Sequence, residues 1–172
     1  MKNIILTLSC LLLCGTVLWA APNREDVKKL LEGYEWQIDP VQFGELGADT
    51  DLVLMEIITD PAPMLNYYRF RALEALRLFP NDRVATFLEK YLGNESDTSR
   101  VYRAFDSYTR NFSKSRPQAV QKIAEKLLVN SKPDLRIAAV EALKKIKSSD
   151  ALKLVEKQLE KESEEWIRSR MR

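Results

Sequence analysis

The stretch PDLRIAAVEALKKI, residues 133–146, decides the fold of this chain of 172 residues. Its apolar side chains recur at every third or fourth position, the spacing of one face of an amphipathic helix, at Ile137, Val140, Leu143 and Ile146. Alanines lie between them, and small side chains at a contact allow two helices to approach closely. The stretch YRFRALEALRLF, residues 68–79, carries the same pattern 67 residues earlier. We therefore expect a chain built from helical repeats.

Three copies of this pattern align, each with an alanine-bearing helix, called helix A, followed by an apolar helix, called helix B. Ala72, Ala104 and Ala139 hold equivalent positions in the three A helices. Ala72 and Ala139 are predicted to face a helix of their own or the adjacent repeat and to be almost fully buried. The other side chains that the A helices should bury are Leu73, Leu76, Phe79, Phe105, Tyr108, Phe112, Val140, Leu143 and Ile146. Those that the B helices should bury are Val84, Leu88, Leu92, Ala119, Ile123, Leu127, Ala151, Val155 and Leu159.

The repeats predict an all-α fold, an α-solenoid of stacked antiparallel helix pairs. They span about residues 63–93, 97–129 and 133–162 and follow an irregular N-terminal part, residues 21–62. The middle copy has three extra residues between its two helices, within residues 109–116. The register continues into residues 164–172, which predicts the truncated first helix of a fourth repeat.

Residues of the kind that begin helices support these boundaries. Asn23 is predicted to cap a first helix, and Asp39-Pro40 to begin a short second one. Asp49 or Asp51 should cap the run Leu52–Ile58, which is apolar enough for a strand but is interpreted as a helix because its neighbours have helical periodicity. The expected caps of the B helices are Asn81, Ser148 and one of the pair Ser113 and Ser115, with Pro117 in the first turn of the middle B helix.

The motifs RALEAL, residues 71–76, and DLRIAAVEALKKIKSSDALKLVEKQL, residues 134–159, resemble HEAT repeats, in particular the short bacterial HEAT-like repeats. The resemblance extends from about Asp49 to the C-terminus and implies an α-solenoid that serves as a binding scaffold. The middle copy departs from the pattern in three ways. Val101 replaces the repeat arginine, and Ser107 replaces a repeat alanine. The turn between its helices is the basic stretch RNFSKSR, residues 110–116. In this copy, Phe105 and Tyr108 are expected to fill the room left by Ser107, the alternative being an aromatic ligand pocket.

The N-terminus has the composition of a secretory signal peptide. Lys2 is followed by the almost purely apolar run Ile4–Trp19 and by the small residues Ala20 and Ala21. We predict a signal peptide over residues 1–20, and export across the inner membrane to a periplasmic or secreted location. The apolar run nearly reaches the ~18 residues that can span a bilayer, so an uncleaved membrane anchor is the main alternative. A lipoprotein cut before Cys10 or Cys14 is a further one.

The composition excludes several kinds of active site. The chain has no histidine, and its two cysteines lie in the predicted signal peptide, so neither a Ser-His-Asp nor a Cys-His site is available. We expect no catalytic residue, no metal and no cofactor. Asp49, Asp51 and Asp60 are interpreted as helix caps because their spacing lacks the glycine and later glutamate of an EF-hand. The catalytic alternative is a lyase- or glycosylase-like solenoid that uses paired carboxylates.

The remaining function is binding, with another protein or an envelope component as the expected partner. Lys and Arg total 27 against 25 for Asp and Glu, which does not indicate nucleic-acid binding. A membrane partner is expected only if the N-terminus is not cleaved, and a monomer is favoured. The rival is a structural element, anchored by its N-terminus or stacked end to end. The candidate binding residues are the basic insertion, Arg110, Lys114 and Arg116, and the outward side of the B helices, Lys90, Gln121, Lys153 and Lys157. For the insertion, the alternative is a solvated loop.

The last helix carries a separate expectation. Trp166 or Ile167 should pack back on Val155 and Leu159 and close the third repeat as a truncated cap, with Arg168 and Arg170 outside. Alternatively, the unpaired helix docks a second copy or a partner, because an open end of a solenoid exposes apolar edges.

The signal peptide can be tested by the mass of the exported protein. We expect chains recovered from the periplasm or the medium of a bacterial host to begin at Ala21, because small residues precede that bond. Ala20→Arg should block cleavage and leave the full-length chain in the membrane fraction. A wild-type chain of full mass, retained in that fraction, would support the uncleaved anchor instead.

Overall fold

The computed structural model of the chain describes residues 22–62 and 65–172. The predicted signal peptide, residues 1–20, lies outside the described residues, as do Ala21, Pro63 and Met64. The described residues contain helices and turns but no strand, and none of these helices is long and apolar enough to cross a bilayer. The helices are α1 (Arg24–Leu30), α2 (Pro40–Glu45), α3 (Thr50–Thr59), α4 (Asn66–Ala75), α5 (Asp82–Asn94), α6 (Thr98–Phe112), α7 (Pro117–Leu128), α8 (Pro133–Ile146), α9 (Ser149–Lys161) and α10 (Glu165–Met171), with a 3-10 turn, Leu76–Leu78, after α4.

The helices form two rows, which confirms the predicted all-α solenoid. The A row runs from α4 through α6 and α8 to α10, each helix packing on the next. The B helices α5, α7 and α9 lie beside it: α5 packs on α6, α7 on α8, and α8 on α9. Most of the side chains that the repeat register predicted for the core are buried, including Leu73, Tyr108 and Leu143, none of which has exposed surface.

Four small residues of the A helices are fully buried. Ala72 and Ala139 have no exposed surface, as predicted, and Ala104 is equally buried. Ser107 is also fully buried, and its hydroxyl donates a hydrogen bond of 2.7 Å from α6 to the Leu73 carbonyl in α4. The serine therefore links α6 to α4 through a hydrogen bond. Phe105 and Tyr108 are buried in the core as well, and the Tyr108 hydroxyl donates to Glu89 on α5. That their rings fill room beside Ser107 stays a prediction.

The middle repeat differs from the prediction in its connection. Helix α6 continues to Phe112, so the turn before α7 consists of residues 113–116, and Arg110 lies in the helix. Ser113 ends α6 and donates its hydroxyl to the Thr109 carbonyl, so that neither serine of this turn caps α7. The N-cap position of α7 is Arg116, whose side chain makes no capping bond, and Pro117 occupies the first turn as expected. Compared with the third repeat, one of the three extra residues lengthens the helix and two lengthen the connection.

Helix α7 also buries a different face from the predicted one. Val120, Ala124 and Leu128 are buried there, whereas Ala119 and Ile123 are only partly buried. The reason is that α7 packs mainly against α8, the helix that follows it, and less against α6. The predicted caps Asn23, Asp39, Asn81 and Ser148 all accept bonds from the backbone N–H groups of their helices.

The N-terminal part, expected to be irregular, forms a further layer of the same solenoid. Helix α1 packs on α3, and α3 packs on α4. The Arg71 guanidinium on α4 donates to the Leu31 and Gly33 carbonyls after α1, at 2.6 and 2.9 Å. On the B side, Arg83 of α5 pairs with the buried carboxylate of Asp51 on α3 at 2.9 Å. Leu52–Ile58 is helical, as interpreted from its neighbours.

The repeat arginines fasten each A helix to the connection before it. Arg69 donates to the Asp60 and Ala62 carbonyls at 2.6 and 3.1 Å. Arg136 donates to the Asn130 and Ser131 carbonyls at 3.0 and 3.2 Å. Both bond sets satisfy carbonyl groups that no helix hydrogen bond can reach.

The middle repeat, which has Val101 at this position, uses a neighbouring residue. Arg100 lies 3.4 Å from the Glu95 carboxylate in the connection before α6. Glu95 in turn accepts from the backbone N–H groups of Ser96 and Asp97, both at 2.8 Å. The arginine thus holds the loop through a carboxylate instead of through carbonyl groups.

The last helix follows the register and packs mainly on α8. Helix α10 packs on α8, and Ile167 and Met171 have no exposed surface. Trp166 is 52% exposed, and its indole N–H donates to Glu164. Lys144 of α8 donates to the Met171 and Arg172 carbonyls at the end of α10. The helix therefore extends the A row instead of folding back chiefly on α9.

The ion pair of Arg136 with Glu162 provides a test of these layers. Both guanidinium nitrogens that face Glu162 donate to its carboxylate, at 2.9 and 3.1 Å, and both side chains are almost buried. These bonds tie α8 to the end of α9 and hold the pKa of Glu162 below its ordinary value. A group with a lowered pKa stabilises the fold above its unfolded pKa, and the stabilisation is lost as the pH falls.

We expect Glu162→Gln to lower the free energy of unfolding by about 1–3 kcal/mol at pH 7, because a hydrogen bond between charged groups is lost. The difference in stability from the wild type should narrow as the pH falls below about 4.3, the ordinary pKa of a glutamate, towards the lowered pKa of Glu162, because the wild-type carboxylate then loses its charge. Denaturant titrations across this pH range measure the difference in the free energy of unfolding. Glu160→Gln, at an exposed neighbouring position, is the control. Equal stability of the two variants at pH 7 would contradict the role of the pair.

Candidate functional site

The main candidate site is an open groove of about 780 Å³, formed where the C-terminal ends of the A helices lie side by side. The 3-10 turn after α4, the last turn of α6 with its connection, and the end of α8 meet there. Its lining residues, here called the basic groove, are Arg77, Leu78, Thr109, Arg110, Asn111, Ser113, Lys114, Lys145 and Lys147. The stacking of the A helices thus places the ends of three repeats side by side.

The basic groove has an uncompensated positive charge. Its lining contains five cationic side chains and no carboxylate. Arg110 alone among them is ion-paired within the described residues, with Asp106 at 2.7 Å, and that hydrogen bond raises its pKa. Three helix C-termini contribute roughly −0.5 charge each, which the four remaining cations exceed. The groove therefore attracts anionic groups.

The polar floor of the groove is engaged in internal hydrogen bonds. Asn111 donates its side-chain amide to the Leu76 carbonyl at 3.4 Å, and Thr109 donates its hydroxyl to the Asp106 carbonyl at 3.1 Å. These bonds fasten the end of α6 and the turn after α4. The groups left for a ligand are chiefly the exposed ammonium groups of Lys114, Lys145 and Lys147.

Lys147 has an unusual backbone conformation. It ends α8 with φ 59° and ψ 16°, and its N–H donates to the Leu143 carbonyl at 3.3 Å. Among the described residues it is the only one other than glycine with a positive φ. This left-handed conformation costs an L-residue with a Cβ about 1–2 kcal/mol, and glycine is the usual residue at such a helix end. The chain therefore has a lysine in the groove at a position that favours glycine.

Two of the seven predicted binding residues, Arg110 and Lys114, lie in this groove. Arg116 does not: its guanidinium reaches α5, where it donates to Asp82 at 2.8 Å and to Glu89 at 3.1 Å. The hydrogen bond to Asp82 is the main cause of its raised pKa. Arg116 thus ties the start of α7 to the previous B helix.

The other four predicted residues are distributed over the B helices. Lys90 borders a small apolar pocket of about 290 Å³ beside Phe87 and Tyr91. Gln121 donates to Glu125 at 3.0 Å, and Lys153 lies 3.7 Å from Asp150. Lys157 lines a separate pocket that also includes Glu125. These side chains do not converge, and whether any of the seven contacts a partner remains a prediction.

The sequence analysis missed Arg77, Lys145 and Lys147. Each belongs to a different stretch of sequence from the basic insertion: Lys145 and Lys147 lie in the run KKIK, residues 144–147, and only the packing of the A helices brings these stretches together. One signal was present: Arg110 and Lys145 hold equivalent positions in successive A helices, as Ala104 and Ala139 do.

Other cavities and clusters have mixed charge. A cavity of about 360 Å³ on the A row between α6, α8 and α10 combines Arg103 and Arg170 with Asp134 and Glu141. Asp51, interpreted as a possible cap, is buried and accepts from Arg83 and Asn81. Over residues 22–62 and 65–172, no group of three or more Cys, His, Asp or Glu side chains is arranged to hold a metal ion.

Comparison with known proteins identifies part of the chain. Residues 111–172 match the family model for HEAT repeats. The match covers α7 to α10 with the end of α6, whereas the resemblance read from the sequence began near Asp49. Neither the curated proteins nor the solved structures that were searched contain a protein that matches this chain.

The strain at Lys147 can be measured. Lys147→Gly should raise the free energy of unfolding by about 1 kcal/mol, because glycine adopts φ 59° without a clash. For a domain of this size the melting temperature would rise by roughly 2–4 °C. Lys145→Gly, in the last turn of the same helix, is the control and should destabilise the protein by about 1 kcal/mol. A lower melting temperature for Lys147→Gly would contradict the strain.

Proposed function

Because residues 111–172 belong to the HEAT-repeat family, whose members generally mediate protein–protein interactions, we propose that the chain is a non-catalytic exported scaffold that holds a partner in the basic groove. The partner is another protein or an envelope component. The observation that carries this proposal is the charge of the groove, where four cations without ion pairs in the described structure come from three successive A helices.

The groove is favoured over the B face because no carboxylate lines it, whereas the pockets beside Lys90 and Lys157 also contain a glutamate. Lys153 and Gln121 each have an acidic neighbour on the same helix, and Arg116 has two on α5. A partner that binds at these residues gains a new ion pair only by breaking an existing one. In the groove, an anionic partner gains ion pairs without displacing an existing one at Lys114, Lys145 or Lys147.

The lining of the groove also supports a binding role rather than a catalytic one. General base catalysis needs a group that is unprotonated near neutral pH. Carboxylate and imidazole side chains usually play this part. Lys114, Lys145 and Lys147 are exposed, and no carboxylate lines the groove. HEAT repeats are typically non-catalytic, which agrees with this reading.

Export is part of the proposal and is supported by the composition of residues 1–21. The apolar run Ile4–Trp19 after Lys2 has the composition of a secretory signal. The runner-up is a structural element held at the membrane by an uncleaved N-terminus, which would keep the groove close to the envelope instead of freeing it.

The test is chemical cross-linking of the protein to its partner in the envelope fraction of its host. The groove variant Lys114→Ser, Lys145→Ser, Lys147→Gly should capture about tenfold less partner at low salt, since three exposed ion pairs contribute ~0.5 kcal/mol each. The control variant Lys122→Ser, Lys126→Ser, Lys132→Ser changes three exposed lysines outside the groove and has the same net charge. It should capture as much as the wild type.

Rising salt should reduce capture by the wild type and the control, and should affect the groove variant less. Circular dichroism and the melting temperature establish that all three proteins are folded. Equal capture by wild type and groove variant at every salt concentration would exclude the groove as the binding site.

A further inference from the structure

We infer that the basic groove binds an extended acidic peptide segment in polyproline II conformation, with carboxylates at every third residue. This inference rests on the proposed function and names the class of ligand for the same site. It comes from the arrangement of the cations: Arg77 follows α4, Arg110 and Lys114 lie at the end of α6, and Lys145 and Lys147 at the end of α8.

The spacing of the helices sets the spacing of the charges. Helices packed side by side are about 8–10 Å apart, and the A helices pack on one another in chain order. Their ends therefore follow one another at intervals of about 9 Å along the groove, and each end carries at least one cation. A ligand that forms an ion pair at each of the three helix ends must carry anionic groups at the same interval.

Polyproline II is the peptide conformation that meets this requirement. It has three residues per turn and a rise of about 3.1 Å per residue, so every third side chain lies on one face at ~9 Å intervals. A β-strand does not, because its side chains alternate between two faces and residues three apart point in opposite directions. Seven residues in polyproline II span about 19 Å, the distance across three helix ends.

The lining favours a peptide over other polyanions. Single-stranded nucleic acids bind where aromatic side chains stack on the bases, and no lining residue of the groove is aromatic. Peripheral membrane binding needs exposed apolar side chains that enter the lipid, but the single large apolar residue in the lining is Leu78, which is half-buried. A concave groove also fits a narrow chain better than a flat bilayer.

The inference is tested with two labelled nine-residue peptides of identical composition. The phased peptide has glutamates at positions 1, 4 and 7, and the clustered peptide has them at positions 1, 2 and 3, with proline and alanine elsewhere. Fluorescence anisotropy at low salt with the folded wild-type protein should give about fivefold tighter binding of the phased peptide, since the clustered one loses two of three ion pairs. The groove variant should bind both peptides equally weakly, and the control variant should bind as the wild type does.

Equal affinity of the wild type for the two peptides would overturn the inference. So would tighter, groove-dependent binding of phosphatidylserine vesicles or of oligothymidylate than of the phased peptide. If the groove variant loses its partner while the peptides do not differ, the proposed function stands and the peptide geometry fails. If the phased peptide binds in the groove but partner capture by the groove variant is unchanged, the binding site stands and the proposed function fails.

Discussion

The close contact between successive A helices is the constraint on which the rest of the structure depends. Four small residues of the A helices, Ala72, Ala104, Ser107 and Ala139, have no exposed surface. A larger side chain in such a position forces the helices apart or becomes strained. The hydrogen bond from Ser107 to the Leu73 carbonyl shows how short the approach is, because a serine hydroxyl reaches only about one bond beyond Cβ. Helix spacing in the A row, and hence the place of each helix end, follows from these contacts.

The repeat register predicted most of the fold because one physical requirement recurs in each copy. Every A helix has to bury one apolar stripe and offer small residues to its neighbours, so Ala72, Ala104 and Ala139 could be aligned from the sequence alone. The register failed where tertiary contacts determine which face of a helix is buried or where a helix ends. Helix α7 turns Val120 inward because it packs on α8, and Asn111 extends α6 by donating to the Leu76 carbonyl of another repeat. No local pattern encodes either contact.

The packing of the N-terminal helices and three of the five cations of the candidate site could not be predicted, for a related reason. Residues 22–62 lack the alanine pattern, and their place in the solenoid depends on long-range bonds such as those of Arg71 to the end of α1. The basic groove is assembled from Arg77, Lys114 and Lys147, which are far apart in the sequence and share only a position at a helix end. The stacking brings them together. The sequence analysis could find Arg110 and Lys114 because these two are also close in sequence.

At Lys147, the local backbone conformation favours glycine, whereas the positive charge of the groove requires a lysine. Elsewhere among the described residues the chain uses glycine when φ is positive, at Gly33 and Gly47. At the end of α8 the same backbone conformation is given to a lysine, which costs about 1–2 kcal/mol. A glycine there would remove one of four unpaired cations while the carbonyl groups of α8 still contributed negative potential. Strained residues tend to occur at functional sites, where the surrounding structure holds them in place. The lysine is therefore best understood through the groove that it lines, because the helix itself would be more stable without it.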